Sequence, residues 1–201
     1  MPNCFFRWLP GARSWCRMAG DMKTISIDDL SVSPSRLIGK DWMLITAGKE
    51  GDFNCMTASW GGIGYLWNKP VAFVFVRPNR YTREFLDREN GLTLTIMPES
   101  YRKDLVFCGR NSGRDVDKMA HTALKPVVTE SGLVTFRDAR YVLECRKMFR
   151  APLPQEGFLD WSEVYPQCYA EDNPLHLLYI CEITRVLASE QRRAPKAPNF
   201  K

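Results

Sequence analysis

No stretch of this chain stays apolar for longer than six residues, 71–76 (VAFVFV), and its apolar runs are short and cut off by glycine, proline or charge. A membrane-spanning helix needs about 20 such residues in a row, so no transmembrane helix can be drawn here. Short runs punctuated in this way are what strands require. Residues 42–47 (WMLITA) read as a strand closed by the turn Gly48-Lys-Glu-Gly51. Residues 71–76 are β-branched and aromatic, stop before Pro78, and read as a buried strand. Residues 92–97 alternate Leu92, Leu94 and Ile96 with Thr93 and Thr95, which predicts a strand with one buried face. Strands are also expected at 133–136, 140–148 and 176–186. Helical signals are brief: 82–90, with Thr82 as N-cap and Gly91 at C′; a stretch after Ser100; and a third capped by Ser112. With no regular strand–helix alternation, the expected class is α+β, mainly β: antiparallel strands forming a barrel, flanked by short helices.

The 201 residues are 45% hydrophobic and 12% aromatic, enough for one core and too apolar for a disordered chain. The net charge of +5 is unevenly placed. Residues 1–21 carry three Arg and one Asp (+2), and residues 185–201 carry five basic groups and one Glu (+4). The body 22–184, with 20 basic and 21 acidic groups, is −1. A nucleic-acid partner calls for basic charge on the folded face, and here the surplus sits in the ends, so no nucleic-acid partner is expected. Residues 1–21 contain no signal-like apolar core, because Arg7, Pro10 and Arg13 interrupt it, and Met22 opens a more ordinary start. The expected organisation is a disordered N-terminal extension (1–21), a folded domain (22–190) and a basic flexible tail (191–201).

Seven cysteines, odd in number, scattered and without a C-x-x-C, fit neither a disulfide framework nor a zinc site; only His121 and His176 are available to join them. No metal is expected, and reduced thiols point to a cytoplasmic location. The glycines at 61, 62 and 64 fail as a dinucleotide fingerprint because Trp67 stands where the third glycine must be, and they read as a loop or bulge. No P-loop, nucleophile elbow or H-E-x-x-H is present.

Two segments carry chemistry. Arg77-Pro-Asn-Arg-Tyr-Thr-Arg83 joins a buried strand to a helix and gathers Arg77, Asn79, Arg80, Tyr81 and Thr82 at the helix start. Guanidinium, hydroxyl and backbone N–H donors there suit a phosphate, while a solvated basic turn is the plain alternative. Upstream, Asn54-Cys-Met-Thr-Ala-Ser-Trp60 mixes edge hydrogen-bonding groups with apolar walls, as a flat heteroaromatic ligand requires.

In this order, and followed by Cys108-Gly-Arg-Asn-Ser-Gly-Arg-Asp115 with Lys118 and by His176-Leu-Leu-Tyr-Ile-Cys-Glu182, these segments resemble the flavin reductase-like family of FMN-binding split barrels over residues 30–188. The resemblance implies a homodimer that binds FMN non-covalently near its interface. Carried over by position, Asn54, Met56, Thr57, Ala58, Ser59 and Trp60 line the isoalloxazine. Arg77, Asn79, Arg80, Tyr81 and Thr82 hold the ribityl and phosphate end, and Ser112, Gly113 and Lys118 approach the flavin or its phosphate. His176 is the candidate catalytic residue, although the cofactor itself carries hydride chemistry. Cys181 stands where the family has glycine, so a bulkier pocket wall is expected there.

The implied function is an oxidoreductase passing electrons from NAD(P)H through FMN to a flavin, a partner protein or another acceptor. The alternative is an FMN-binding electron carrier with no nicotinamide site. The aromatics Trp60, Tyr65, Trp67, Phe149, Phe158, Trp161, Tyr165 and Tyr169 fall in segments that read mostly as loops; such residues either cap the core or form an interface, and the resemblance favours a homodimer interface.

Overall fold

The computed structural model describes residues 22–169 and 173–189. In chain order it has β1 (Met22–Ile25), α1 (Pro34–Arg36) running into a π-turn (Leu37–Asp41), β2 (Met43–Lys49), β3 (Asp52–Ala58), β4 (Gly61–Leu66) and β5 (Lys69–Val76). Then come α2 (Thr82–Arg88), β6 (Gly91–Ile96), α3 (Arg102–Arg110), β7 (Pro126–Val128), β8 (Val134–Phe136), β9 (Tyr141–Pro152), α4 (Trp161–Cys168) and β10 (Leu177–Ser189). The expected extension 1–21 and tail 191–201 lie outside the described residues. No helix among the described residues is long and apolar enough to cross a membrane.

Seven strands pair in the order β3-β2-β6-β9-β10-β5-β4, and β1 adds to β10, all antiparallel. β10 changes neighbour along its length: residues from Leu177 to Glu182 pair with β5, and those from Val186 to Ser189 pair with β1. Register shifts against β9 at Ile180/Cys181 and Ile183/Arg185 supply the bends that let one long strand serve both parts. β7 and β8 form a separate hairpin.

The alternating faces of β2 explain the two-part core. Met43, Ile45 and Ala47 join the barrel interior with Val74, Leu94, Leu143 and Tyr179. Leu44 points the other way, into a second cluster with Cys55, Leu105, Cys108 and Phe136 beneath α3 and the hairpin. β6 is therefore buried on both faces, not one. Thr93 and Thr95 are fully buried, and Thr93 Oγ1 donates to the Val134 carbonyl (2.7 Å) while Thr95 shares a 2.8 Å bond with Thr135. Hydroxyls are tolerated there because the β7–β8 hairpin supplies partners.

Other expectations need correcting. The glycines at 61, 62 and 64 belong to strand β4, where Gly61 and Gly64 let the strand lie close against Phe73. Trp67 and Asn68, both at positive φ (53° and 58°), make the tight turn from β4 into β5. Tyr65 and Phe149 lie on strands, and Trp161 and Tyr165 on a helix, rather than in loops. Thr82 is the first residue of α2 and not its cap; Tyr81 holds that position in a helical conformation. Ser112 starts no helix: its Oγ accepts from Arg114 N and its carbonyl accepts from the N–H groups of Asp115 and Val116, giving turns only. The helix after Ser100 is α3, entered through a short 3-10 turn at Glu99–Tyr101.

Candidate functional site

β3 presents opposite faces to different surroundings. Cys55 turns under α3, while Asn54, Met56 and Ala58 face a pocket of about 390 Å³. The loop after β5, the C-terminal end of α3 with the turns that follow, and the start of β10 complete its wall. All fifteen residues singled out from the sequence line this one cavity: Asn54, Met56, Thr57, Ala58, Ser59, Trp60, Arg77, Asn79, Arg80, Tyr81, Thr82, Ser112, Gly113, Lys118 and His176.

One side of the pocket is cationic and tightly braced. The buried Asn54 donates from Nδ2 to Thr82 Oγ1 at 2.8 Å, tying β3 to α2. Gly113 packs against that amide, and a Cβ there would run into Asn54 Oδ1 and approach the Tyr81 ring to 3.2 Å. Arg80 donates to the Gly109 carbonyl (2.7 Å) at the end of α3. Lys118, 5% exposed, donates to the carbonyls of Cys55 (2.7 Å) and Cys108 (3.0 Å), which leaves one ammonium proton for the cavity. Burial lowers the Lys118 pKa, and burial followed by the nearby Arg77 lowers that of Arg80. The guanidinium stays charged regardless. The N–H groups of Arg83 and Glu84 are satisfied by the carbonyls of Arg80 and Tyr81, so anion-binding capacity here comes from side chains more than from the start of α2.

The other side is aromatic and built around an arginine. Arg77, which lines the cavity near Arg80, donates from Nε to His176 Nε2 (3.4 Å) and from a terminal nitrogen to the Cys168 carbonyl (2.9 Å). With Nε2 accepting, the proton of a neutral ring lies on Nδ1, 3.0 Å from Tyr169 Oη. Trp60 and Phe75 pack against the same ring, with centroids 5.2 and 6.5 Å away. Burial, reinforced by Arg77, pushes the His176 pKa down to about 4. It is therefore an uncharged, doubly bonded wall residue at neutral pH.

The sequence reading missed Phe75, Gly109, Arg110, Asn111 and Asn173, which also line the cavity. Alternation along β5 was the available signal for Phe75. Gly109 to Asn111 sit inside the segment 108–115, where the resemblance points only to Ser112 and Gly113. Asn173 carried no local signal. Cys181 does not narrow the pocket: it is fully buried in the barrel interior, opposite Ala72 of β5, and burial raises its thiol pKa to about 12. Among the described residues, no three His, Cys, Asp or Glu side chains cluster as metal ligands.

This arrangement of strands has parallels among solved structures. A family model described as "Flavin reductase like domain" matches residues 35–197, and the chain belongs to the flavin reductase-like family. A flavoredoxin from Methanosarcina acetivorans is similar with a TM-score of 0.59 at 20% identity, covering 84% of this chain and 77% of its own. The FMN-binding domain of a flavin reductase-like enzyme from Shewanella baltica OS155 gives 0.61 at 17% identity, covering 86% and 81%. The styrene monooxygenase flavin reductase of Pseudomonas putida S12 gives 0.54 at 17%, covering 77% and 81%. At these identities the likeness shows the fold, a split barrel. No curated protein sequence matches the chain.

Proposed function

We propose that the pocket binds FMN and that the protein is an NAD(P)H-dependent oxidoreductase delivering electrons to a flavin or another acceptor. The observation that carries this reading is the convergence of fifteen residues from five separate segments on one cavity. Its volume of about 390 Å³ lies within the roughly 300–1,000 Å³ usual for small-molecule sites. The donor set also fits the cofactor: a buried lysine and a half-buried arginine for a phosphate, hydroxyls and amides for a polyol, and a mixed apolar and polar strand for a flat ring. Gly113 keeps open the place where a side chain would collide with Asn54.

In this reading Arg80, Lys118 and Ser112 hold the phosphate, and Asn79, Tyr81 and Thr82 the ribityl chain. Residues 54–60 flank the ring. Arg77 and His176 shape the aromatic side instead of exchanging protons. Bound FMN supplies the two-electron chemistry, while the chain contributes binding, orientation and exclusion of water. The flavoredoxin likeness favours a second reading, an electron carrier reduced by a protein donor. Anaerobic mixing of FMN-loaded protein with NADH and with NADPH decides between them. Bleaching of the visible flavin band supports the reductase, and failure with both nicotinamides, while dithionite still bleaches it, supports the carrier.

The protein is further proposed to be a homodimer. Tyr65 (72% exposed) on the outermost strand β4, and the edge-packed pair Trp67 and Phe149, form an aromatic surface suited to a second copy. A cytoplasmic location accords with the five described cysteines, all of which are free.

A further inference from the structure

Directly behind the pocket wall, the Sγ atoms of Cys55 on β3 and Cys108 on α3 lie 3.9 Å apart, the Cys55 thiol donating to Cys108. Both residues are buried in the second core cluster. Lys118 is bonded to the main-chain carbonyl of each and also lines the cavity, so the pair shares a cation with the pocket. The two thiols are not equivalent. The hydrogen bond from Cys55, helped by Lys118, lowers the Cys108 pKa, whereas that bond and burial raise Cys55. One sulfur is thus prepared as the nucleophile and the other as the resolving thiol.

We propose that Cys55 and Cys108 are a redox-active dithiol that a hydroperoxide closes to a reversible disulfide, and that closure resets the pocket wall from Gly109 to Gly113. Cys108 first gives up its proton to solvent; the thiolate attacks one oxygen of hydrogen peroxide, the O–O bond breaks, a sulfenic acid forms, and the hydroxide that leaves takes up that proton as water. The Cys55 sulfur then displaces the sulfenic oxygen, which leaves as a second water with the Cys55 proton. Two thiols and one peroxide become one disulfide and two waters. A disulfide brings the sulfurs from 3.9 Å to about 2.05 Å, and any part of that change taken up by the backbone draws α3 and β3 together. Gly109, whose carbonyl holds Arg80, directly follows Cys108, and Lys118 is fastened to both moving carbonyls. The displacement therefore reaches the cationic side of the pocket.

The test uses the reduced full chain, one equivalent of hydrogen peroxide, alkylation of remaining thiols and non-reducing peptide mapping. A Cys55–Cys108 linked peptide is expected that is lost with dithiothreitol and absent from Cys108→Ser. In Cys55→Ser, a Cys108 sulfenic acid trapped by dimedone is expected. Linkage through another cysteine such as Cys145, or no linkage while both thiols are alkylated on denaturation, overturns the site. Amide exchange read on the same wild-type samples tests the second half. At least a threefold change in exchange rate is expected at residues 109–113 between reduced and oxidised forms, and identical exchange there overturns the coupling. Neither readout depends on flavin.

Discussion

The two sides of the pocket use arginine for opposite ends. Arg80 is anchored by a single carbonyl and shares its surroundings with Lys118, so buried positive charge stays available to a ligand. Three residues earlier, Arg77 is spent on His176, on the Cys168 carbonyl and on the Tyr169 ring 5.8 Å away, and it holds an aromatic wall in place. The same side chain, repeated within one short loop, lines the cavity on a single carbonyl bond in one position and braces the aromatic wall in the other. Residue type cannot distinguish them; the partners can.

The comparison is broken most directly by exchanging which arginine is lost. Arg80→Ala should weaken FMN binding by about 1.5–3 kcal/mol, the range for hydrogen bonds to charged groups. Arg77→Ala should cost FMN affinity less and destabilise the packing of α4 and His176 more, which paired FMN titrations and thermal melts will read. Gly113→Ala should weaken binding or stability by about 1–3 kcal/mol, because the added Cβ overpacks against Asn54.

The aromatic side makes a prediction in pH. Above about 6.5, the ordinary value, His176 is neutral in both folded and unfolded chains. As pH falls from 6.5 toward 4, the unfolded chain takes up a proton that the folded wall refuses, so stability declines across that window. Melting temperature against pH should be flatter in His176→Gln than in the wild type. The smallest effect is expected at Cys181→Ala. Losing one buried sulfur should cost about 1 kcal/mol, near the value of a buried methylene, and leave FMN affinity unchanged.

Much of this was visible in the residues before any geometry. The runs at 42–47, 71–76 and 92–97 gave β2, β5 and β6, because β-branched and aromatic residues bounded by turn formers have few other uses. Local pattern failed where tertiary partners decide. Thr93 and Thr95 looked solvent-facing until the β7–β8 hairpin covered them, and glycines 61–64 looked like a loop until Phe73 stood beside them. Pro166 and a run of aromatics concealed α4. The site residues were legible as a set, through resemblance and contiguous segments. The separate tasks of Arg77 and Arg80 were not, since each depends on contacts across 29 or more residues of chain.

A paired titration of the apo protein with FMN and with riboflavin tests the central claim most directly, because the two ligands differ only in the phosphate. If the pocket holds FMN with Arg80 and Lys118 on that phosphate, FMN should bind about tenfold or more tighter, and Arg80→Ala should erase most of the difference. Equal affinities for the two flavins, or no saturable binding of either, would contradict the assignment.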